Sequence, residues 1–247
     1  MCKNLVGMLF GAAVSLSSAH AIAAEDVFSA AGASAAAIQG QVDAFRTSLG
    51  TLNANVAGSF ASGRREINWD GVPDALSAPN NMPANFFNVN SPRGAVFSGP
   101  ASGFKVSGNA AVGAPTEFSE INATYRSLFT TFSAPRLFTA LGSPFVDVLF
   151  FVPGSTTPAV TTGFGAVFTD VDLANDTSIQ FFGVNNNSLG VFAVPNTAGN
   201  ATRRTSSNAS NVWRDLRSRS SFGTKPGFTR AAASARLPSS ANTGSRM

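Results

Sequence analysis

Cysteine and histidine are almost missing from this chain of 247 residues. The single cysteine is Cys2 and the single histidine is His20. Residues 1–23 read as a secretory signal peptide, because Lys3 is followed by an apolar run and then by small residues that suit cleavage. Removal of that segment would leave neither residue type. Disulfides, thiol nucleophiles, Ser-His and Cys-His pairs, and zinc held by histidine or thiolate would then be excluded.

Long apolar runs are missing as well. The run inside the signal, from Leu5 to Leu16, is shorter than the roughly 20 residues that span a membrane. The sequence therefore predicts a secreted or periplasmic protein with no transmembrane segment. The lack of disulfides in an exported chain favours a bacterial origin.

Charge is scarce and unevenly placed. Charged residues make up 12% of the chain against 44% hydrophobic residues, so there is ample material for a core. Residues 24–200 hold 7 basic and 12 acidic residues, whereas residues 201–247 hold 9 basic and 1 acidic. Three interpretations of that tail stay open: a disordered solvated tail, a basic arm for nucleic acid or anionic surfaces, or a switch of reading frame near Asn200. We expect residues from about Ala201 onward not to pack on the domain, and no specific nucleic acid partner.

The order of patterns along the chain predicts an all-β protein with one helix. Apolar residues spaced by three and four (Ile38, Val42, Phe45, Leu49) indicate an amphipathic helix that ends at Gly50 and caps one end or edge of the domain. Residues 63–92 read as a long loop. Strand-like segments then follow at intervals of about 8–15 residues with turn signals between them. Their sequences are GAVFSG, GFKVSG, TEFSEINA, SLFTTFSA, RLFTAL, FVDVLFFV, AVTTGFGAVFTDVDL, TSIQFFGV and SLGVFAV.

These patterns predict an antiparallel β-sandwich that resembles a jelly roll. The expected organisation is a signal peptide at 1–23, an N-terminal helical segment at 24–62, a β-sandwich domain at 63–200 and a disordered basic tail at 201–247. FVDVLFFV, which is nearly continuous in apolar residues, is expected to be a central strand.

One stretch, GRREINWDGVPD at residues 63–74, concentrates charge in a chain that is poor in it. If the stretch is extended, alternate residues from Arg65 to Asp70 would face opposite sides. A tryptophan beside arginines and carboxylates is typical of sugar-binding sites. The same charges could instead pair with one another and brace a long loop. The candidate ligand-binding residues are Arg64, Arg65, Glu66, Trp69, Asp70 and Asp74.

A second acidic group lies in FTDVDLANDTS. Asp170 and Asp172 alternate on a strand end, and Asp176 follows a turn. Oxygen ligands of this kind suit calcium, although the segment lacks the glycine and glutamate of an EF-hand loop. Two interpretations of these three residues stay open, a calcium site and three solvated carboxylates, and the sequence predicts no other cofactor.

The motif at residues 63–74, with NNMPANFFN, SPRGAVFSGPASGFKVS and GFGAVFTDVD, resembles a group of bacterial secreted proteins that share a GRREINWDGVPD-type motif. The resemblance covers about residues 33–195. It implies a jelly-roll domain with more strands downstream than this chain provides, which favours the reading-frame interpretation of the tail. It carries over no catalytic residue.

Three classes of function remain. The leading hypothesis is a non-enzymatic exported protein that binds carbohydrate or another cell-surface ligand. The alternatives are a carbohydrate-active hydrolase or lyase that uses Glu66, Asp70 or Asp74, and a structural matrix or adhesin protein. The sequence designates no catalytic residue.

Overall fold

The computed structural model describes residues 26–197, 209–215 and 228–234. The described chain is rich in strands, has few helices, and pairs its strands in small antiparallel sheets, which confirms the mostly-β expectation. The strands are β1 (Asp26–Gly32), β2 (Ala95–Ser98), β3 (Gly103–Val106), β4 (Phe138–Leu141), β5 (Phe145–Phe150), β6 (Gly163–Thr169), β7 (Ser178–Gly183), β8 (Ser188–Ala193), β9 (Ala209–Asp215) and β10 (Phe228–Ser234). The α-helices are α1 (Ala35–Leu49), α2 (Phe86–Val89) and α3 (Tyr125–Leu128).

Three sheets organise these strands. One has the order β1-β9-β6, the second β2-β5-β10-β7-β8, and the third pairs β3 with β4. As expected from its apolar sequence, β5 lies inside its sheet, between β2 and β10. In β7, Ile179 and Phe181 are fully buried, whereas Gln180 between them is not. This alternation is typical of a strand with one face on a core.

The largest core is aromatic. It contains Phe86, Phe87, Phe97 and Phe104 with Val106, drawn from α2, β2 and β3. An isolated antiparallel bridge between Met82 and Phe104 brings the loop before α2 onto the same core. The third sheet and the long loop of residues 63–92 are therefore held together by phenylalanine packing as much as by strand pairing.

Helix α1 forms as its sequence predicts. The hydroxyl of Ser34 accepts a hydrogen bond from the Ala37 amide and caps the helix, which ends at Gly50 with a positive φ of 96°. Ile38, Val42 and Phe45 are the buried stripe. The helix packs on β1 and β9 and contacts Val167 of β6, so it covers a face of the three-stranded sheet.

Two parts of the predicted tail are strands. β9 lies between β1 and β6, with Trp213 opposite Phe28 on one side and Gly165 on the other. β10 lies between β5 and β7, with Ala232 opposite Asp147 and Gln180. The expectation that nothing beyond Ala201 packs on the domain is wrong for these segments. It considered only apolar burial, whereas a strand placed between two others also supplies hydrogen-bond partners to both neighbours. The rest of the tail and the signal segment 1–23 lie outside the described residues.

The segments TEFSEINA and SLFTTFSA do not form strands, contrary to expectation. Glu117 and Phe118 have left-handed φ values of 44° and 59°, which end any extended run. Asn122 then accepts hydrogen bonds from the amide and hydroxyl of Thr124, and the single turn of α3 follows. Asparagine turn chemistry thus prevails over apparent alternation here.

Strand β1 precedes α1 and pairs with β9, so residues 26–32 of the expected helical segment join a sheet with β6 of the expected sandwich domain. Among the residues described, no helix combines the length and the apolar composition that crossing a membrane requires.

Candidate functional site

The motif at residues 63–74 is not a strand. Arg64 makes an isolated parallel bridge with Leu52, and Trp69–Gly71 and Asp74–Leu76 are single 3₁₀ turns. The side chain of Asn68 caps the first turn by accepting from the Asp70 amide at 3.0 Å. The predicted alternation of faces is therefore wrong, because local capping bends the chain where an extended strand would run straight.

Glu66 is held between two arginines. Arg64 Nε donates to Glu66 Oε1 at 2.6 Å, and Arg46 Nη2 of α1 donates to Oε2 at 3.0 Å. Partial burial pushes the pKa of Glu66 upward, but the hydrogen bonds and charges of Arg64 and Arg46 outweigh burial and hold that pKa below its usual value. The motif is thereby tied to α1.

Within the part of the chain that the structure describes, Arg65 binds backbone carbonyls and no carboxylate. Its guanidinium donates to the carbonyls of Val56, Gly58 and Pro92 at 3.1, 2.8 and 2.6 Å, and it lies 4.7 Å above the ring of Phe60. Partial burial lowers the pKa of Arg65, and the nearby charge of Arg93 lowers it further. One side chain thus joins the loop before the motif to the segment that follows α2.

Trp69 belongs to the aromatic core. Its ring stacks on Phe138 with centroids 4.5 Å apart at 10°, meets Phe87 of α2 edge-on at 5.3 Å, and lies 5.8 Å from Phe97. Because Phe138 covers one face of the indole, that face is not open to a sugar ring.

Asp70 and Asp74 share a partner that the motif itself does not contain. Asp70 accepts from the hydroxyl of Ser133 at 2.6 Å and from the backbone amide of Arg136 at 2.9 Å. Asp74 accepts from Arg136 Nη2, and Ser107 O accepts from Arg136 Nη1 at 2.9 Å. The Arg136 side chain is 3% exposed against 47% for Asp74, so the pair joins a buried cation to a half-exposed anion.

All six predicted ligand residues therefore make contacts within the molecule, those of Glu66 reaching α1 and those of Trp69 lying in the aromatic core. These contacts match the loop-bracing interpretation, although Arg65 braces through carbonyls and not through a carboxylate. Binding of a ligand by the six residues stays a prediction. Sequence reasoning missed Arg46 and Arg136 as partners. The small number of basic residues could have identified them, because residues 24–200 hold only 7 basic residues beside 12 acidic ones, so each carboxylate has few possible partners.

A cleft opens beside α2, on the edge of the region that the motif braces. It has a volume of about 230 Å³ and is lined by residues that include Asn85, Val89, Val96, Phe151, Ser155 and Thr156. The side chains of Asn85 and Thr156 make no hydrogen bond to any described residue, and Val89 is 58% exposed. Amide and hydroxyl groups thus stand beside apolar surface in one concavity.

The base of this cleft is held by hydrogen bonds. Buried Asn88 donates to Ser155 O at 2.8 Å and accepts from the Gly154 amide at 3.2 Å, which locks α2 to the turn after β5. The Gly58 amide donates to Pro153 O at 2.9 Å, so the loop held by Arg65 also supports that turn. On the other side of α2, Phe87 meets Trp69. The motif therefore braces the cleft from behind.

The three aspartates of the calcium hypothesis do not form one group. Asp170 has a left-handed φ of 61° and hydrogen-bonds the Asp172 side chain. Burial first, and then the charge and hydrogen bond of Asp172, raise the pKa of Asp170 to about 6. Within residues 26–197, no set of three His, Cys, Asp or Glu side chains is placed to hold a metal ion. Calcium binding by Asp170, Asp172 and Asp176 stays a prediction.

Comparison of the chain with protein-family models, curated protein sequences and solved structures finds no match. The resemblance to secreted proteins that share the motif therefore stays a prediction.

Proposed function

We propose that this chain is an exported, non-enzymatic β-rich protein that binds carbohydrate, with the sugar in the cleft beside α2. The observation that supports this most is the pairing of unused polar side chains, Asn85 and Thr156, with the exposed apolar surface of Val89. Sugars present hydroxyls and C–H faces together, and such a lining offers partners for both. Export is inferred from the signal-like residues 1–23.

A binding role accounts better than catalysis for the state of the carboxylates. A glycosidase needs a general acid with a raised pKa and a second free carboxylate. Glu66 instead has a lowered pKa and both its oxygens hydrogen-bonded to arginines. Asp70 and Asp74 are engaged with Ser133 and Arg136. We therefore assign these carboxylates to structure.

We also propose that the two larger sheets pack as a jelly-roll-like sandwich. In support, β6 residues Phe164, Ala166 and Phe168 pack on the core of β7 and β8, whereas Val167 between them contacts α1. The Phe164 ring lies 5.7 Å from Phe150 and 6.3 Å from Phe181, both in the five-stranded sheet. A sandwich with its ligand at a loop-lined edge is a common arrangement among sugar-binding domains.

The test is binding to a panel of polysaccharides, measured by pull-down and calorimetry. Val89→Asp places a charge in the cleft and should weaken binding at least tenfold. Val112→Asp is the matched control, because Val112 is equally exposed at 57% and does not line the cleft. Equal binding by both variants would refute the site. Reducing-sugar release that disappears in Glu66→Gln would instead establish the hydrolase alternative.

A further inference from the structure

The Arg93 guanidinium has no hydrogen-bond partner among the residues that the structure describes. The residue follows Pro92 at the entry to β2, and its backbone amide is fixed by the carbonyls of Phe87 and Ser91 at 2.9 and 2.7 Å. Its side chain is half-buried, its Nε is buried, and it hydrogen-bonds none of the residues described. A buried N–H without an acceptor is costly, so an acceptor from outside the chain would be stabilising there.

The surroundings of Arg93 carry an excess of positive charge. We call Arg46, Arg64, Arg65, Glu66 and Arg93 the Glu66 cluster. Its carboxylate, Glu66, already accepts from Arg64 on one oxygen and from Arg46 on the other, and Arg46 is also paired with exposed Asp43 at 3.1 Å. Three N–H donors of Arg65 go to carbonyls, one of them that of Pro92, next to Arg93 in the chain. Arg93 is the cation of the cluster whose guanidinium hydrogen-bonds no residue that the structure describes.

The pKa shifts of Arg93 and Arg65 also favour the binding of an anion at the cluster. Burial lowers the pKa of Arg93, and the charge of Glu66 only partly opposes that effect. Burial also lowers the pKa of Arg65, and the charge of Arg93 adds to it. Both cations are thus less stable here than in water, and a bound anion would relieve both.

We propose that Arg93 binds an anionic oxygen group, a carboxylate, sulfate or phosphate. A guanidinium presents its N–H donors as a planar fork that matches two oxygens of such a group. The bound anion would accept from the Arg93 fork and offset the net positive charge of the Glu66 cluster. This site is separate from the cleft, so it can fail or succeed independently of carbohydrate binding there.

The experiment measures the melting temperature of the full chain as sodium sulfate replaces sodium chloride at constant ionic strength, with sulfate affinity taken from the concentration dependence. Arg93→Gln should weaken sulfate binding at least tenfold. Arg93→Lys, which keeps the charge and loses the fork, should fall between Arg93→Gln and the unaltered chain. Arg126→Gln is the control, since Arg126 is exposed on α3 and belongs to no part of the cluster.

Parallel titrations with phosphate, glucuronate and neutral glucose identify the chemical group that Arg93 binds. A response to any of the three anions that depends on Arg93 supports the site, and the strongest response names its preferred group. Sulfate also stabilises proteins generally by exclusion from their surface. Equal stabilisation of Arg93→Gln and the unaltered chain by each of the three anions would therefore overturn the proposal, as would an Arg93-dependent response to glucose equal to that for the anions.

Discussion

At the scale of single residues, the ion pair of Arg136 and Asp74 shows how burial decides which partner matters. Arg136 is almost fully buried, and its Nε hydrogen-bonds no described residue, whereas Asp74 is half-exposed. Losing the carboxylate leaves a buried cation with less compensation, whereas losing the arginine leaves an anion that water can reach. The exposed member of the pair should therefore be unusually sensitive to substitution.

Asp74→Asn should destabilise the fold by about 1–3 kcal/mol, because a buried guanidinium loses its counter-charge. The matched control is Asp43→Asn, which removes an exposed partner from Arg46 and should cost less than about 0.5 kcal/mol. Urea denaturation of the two variants measures the difference. Equal losses of stability would mean that the burial of Arg136 has no energetic consequence.

Asp170 gives a pH dependence of opposite sign to that of a salt-bridged carboxylate. Its pKa in the folded chain is about 6, against an ordinary 3.8. The folded state therefore holds the Asp170 proton more tightly than the unfolded state does, and stability falls as pH rises from about 4 to 6. Asp170→Asn removes this penalty and tolerates the left-handed φ.

We expect Asp170→Asn to be more stable than the unaltered chain at pH 7.5 by about 1–2 kcal/mol, with partial exposure of the carboxyl allowed for. The gap should close as pH falls toward 4. Thermal melts in chelator across this range measure it. A constant gap at every pH would show that the effect does not come from the titration of Asp170.

The calcium hypothesis has a separate test at the same residues. If Asp170, Asp172 and Asp176 bind the ion in the folded chain only, calcium at 100 times its Kd should stabilise the fold by about 2.7 kcal/mol. The stabilisation should disappear in Asp176→Asn. A melting temperature that is the same in millimolar calcium and in chelator would end the hypothesis.

At the scale of elements, the sequence predicted the helices and strands that depend on residues close together in the chain. Helix α1 could be predicted because Ser34, the apolar stripe and Gly50 lie in one contiguous segment. β2, β5, β7 and β8 could be predicted because turn signals bound each apolar run. β9 and β10 could not, since their sequences lack alternation and their places depend on partners 40 to 189 residues away in the chain.

Strand β10 should be sensitive to loss of its backbone donors. Ala232 is paired with Asp147 on one side and Gln180 on the other. Ala232→Pro removes an amide N–H from the middle of a five-stranded sheet and should destabilise the fold by about 3 kcal/mol or more. Ala232→Ser keeps the amide and serves as the control. If the two variants melt at the same temperature, β10 is not a central strand.

At the scale of the whole molecule, the contacts of the candidate site between residues close in sequence could be predicted, and those between distant segments could not. The concentration of charge at residues 63–74 indicated a region with a structural or binding role. Pairing of charges within it, as in the Arg64–Glu66 contact, was one of the two predicted alternatives. The cleft was not predicted, because its walls come from distant parts of the chain. α2 and β2 are neighbours in sequence, and the turn after β5 follows about 60 residues later. The role of the motif in bracing that cleft could only be recognised once Arg65, Pro92 and Pro153 were seen in one place.

The tail gives the sharpest test of the architecture. If β9 and β10 complete their sheets, a chain that ends at residue 197 leaves β1 and β6 without their shared partner and separates β5 from β7. The exposed backbone donors and acceptors of those strands would then favour pairing between chains. We expect this truncated chain to lose cooperative thermal unfolding and to sediment as aggregates. A chain that ends at Ser234 keeps both strands and should melt as the full chain does. Cooperative, monomeric unfolding of the shorter chain at the same temperature would restore the original expectation of a tail that contributes nothing to the fold.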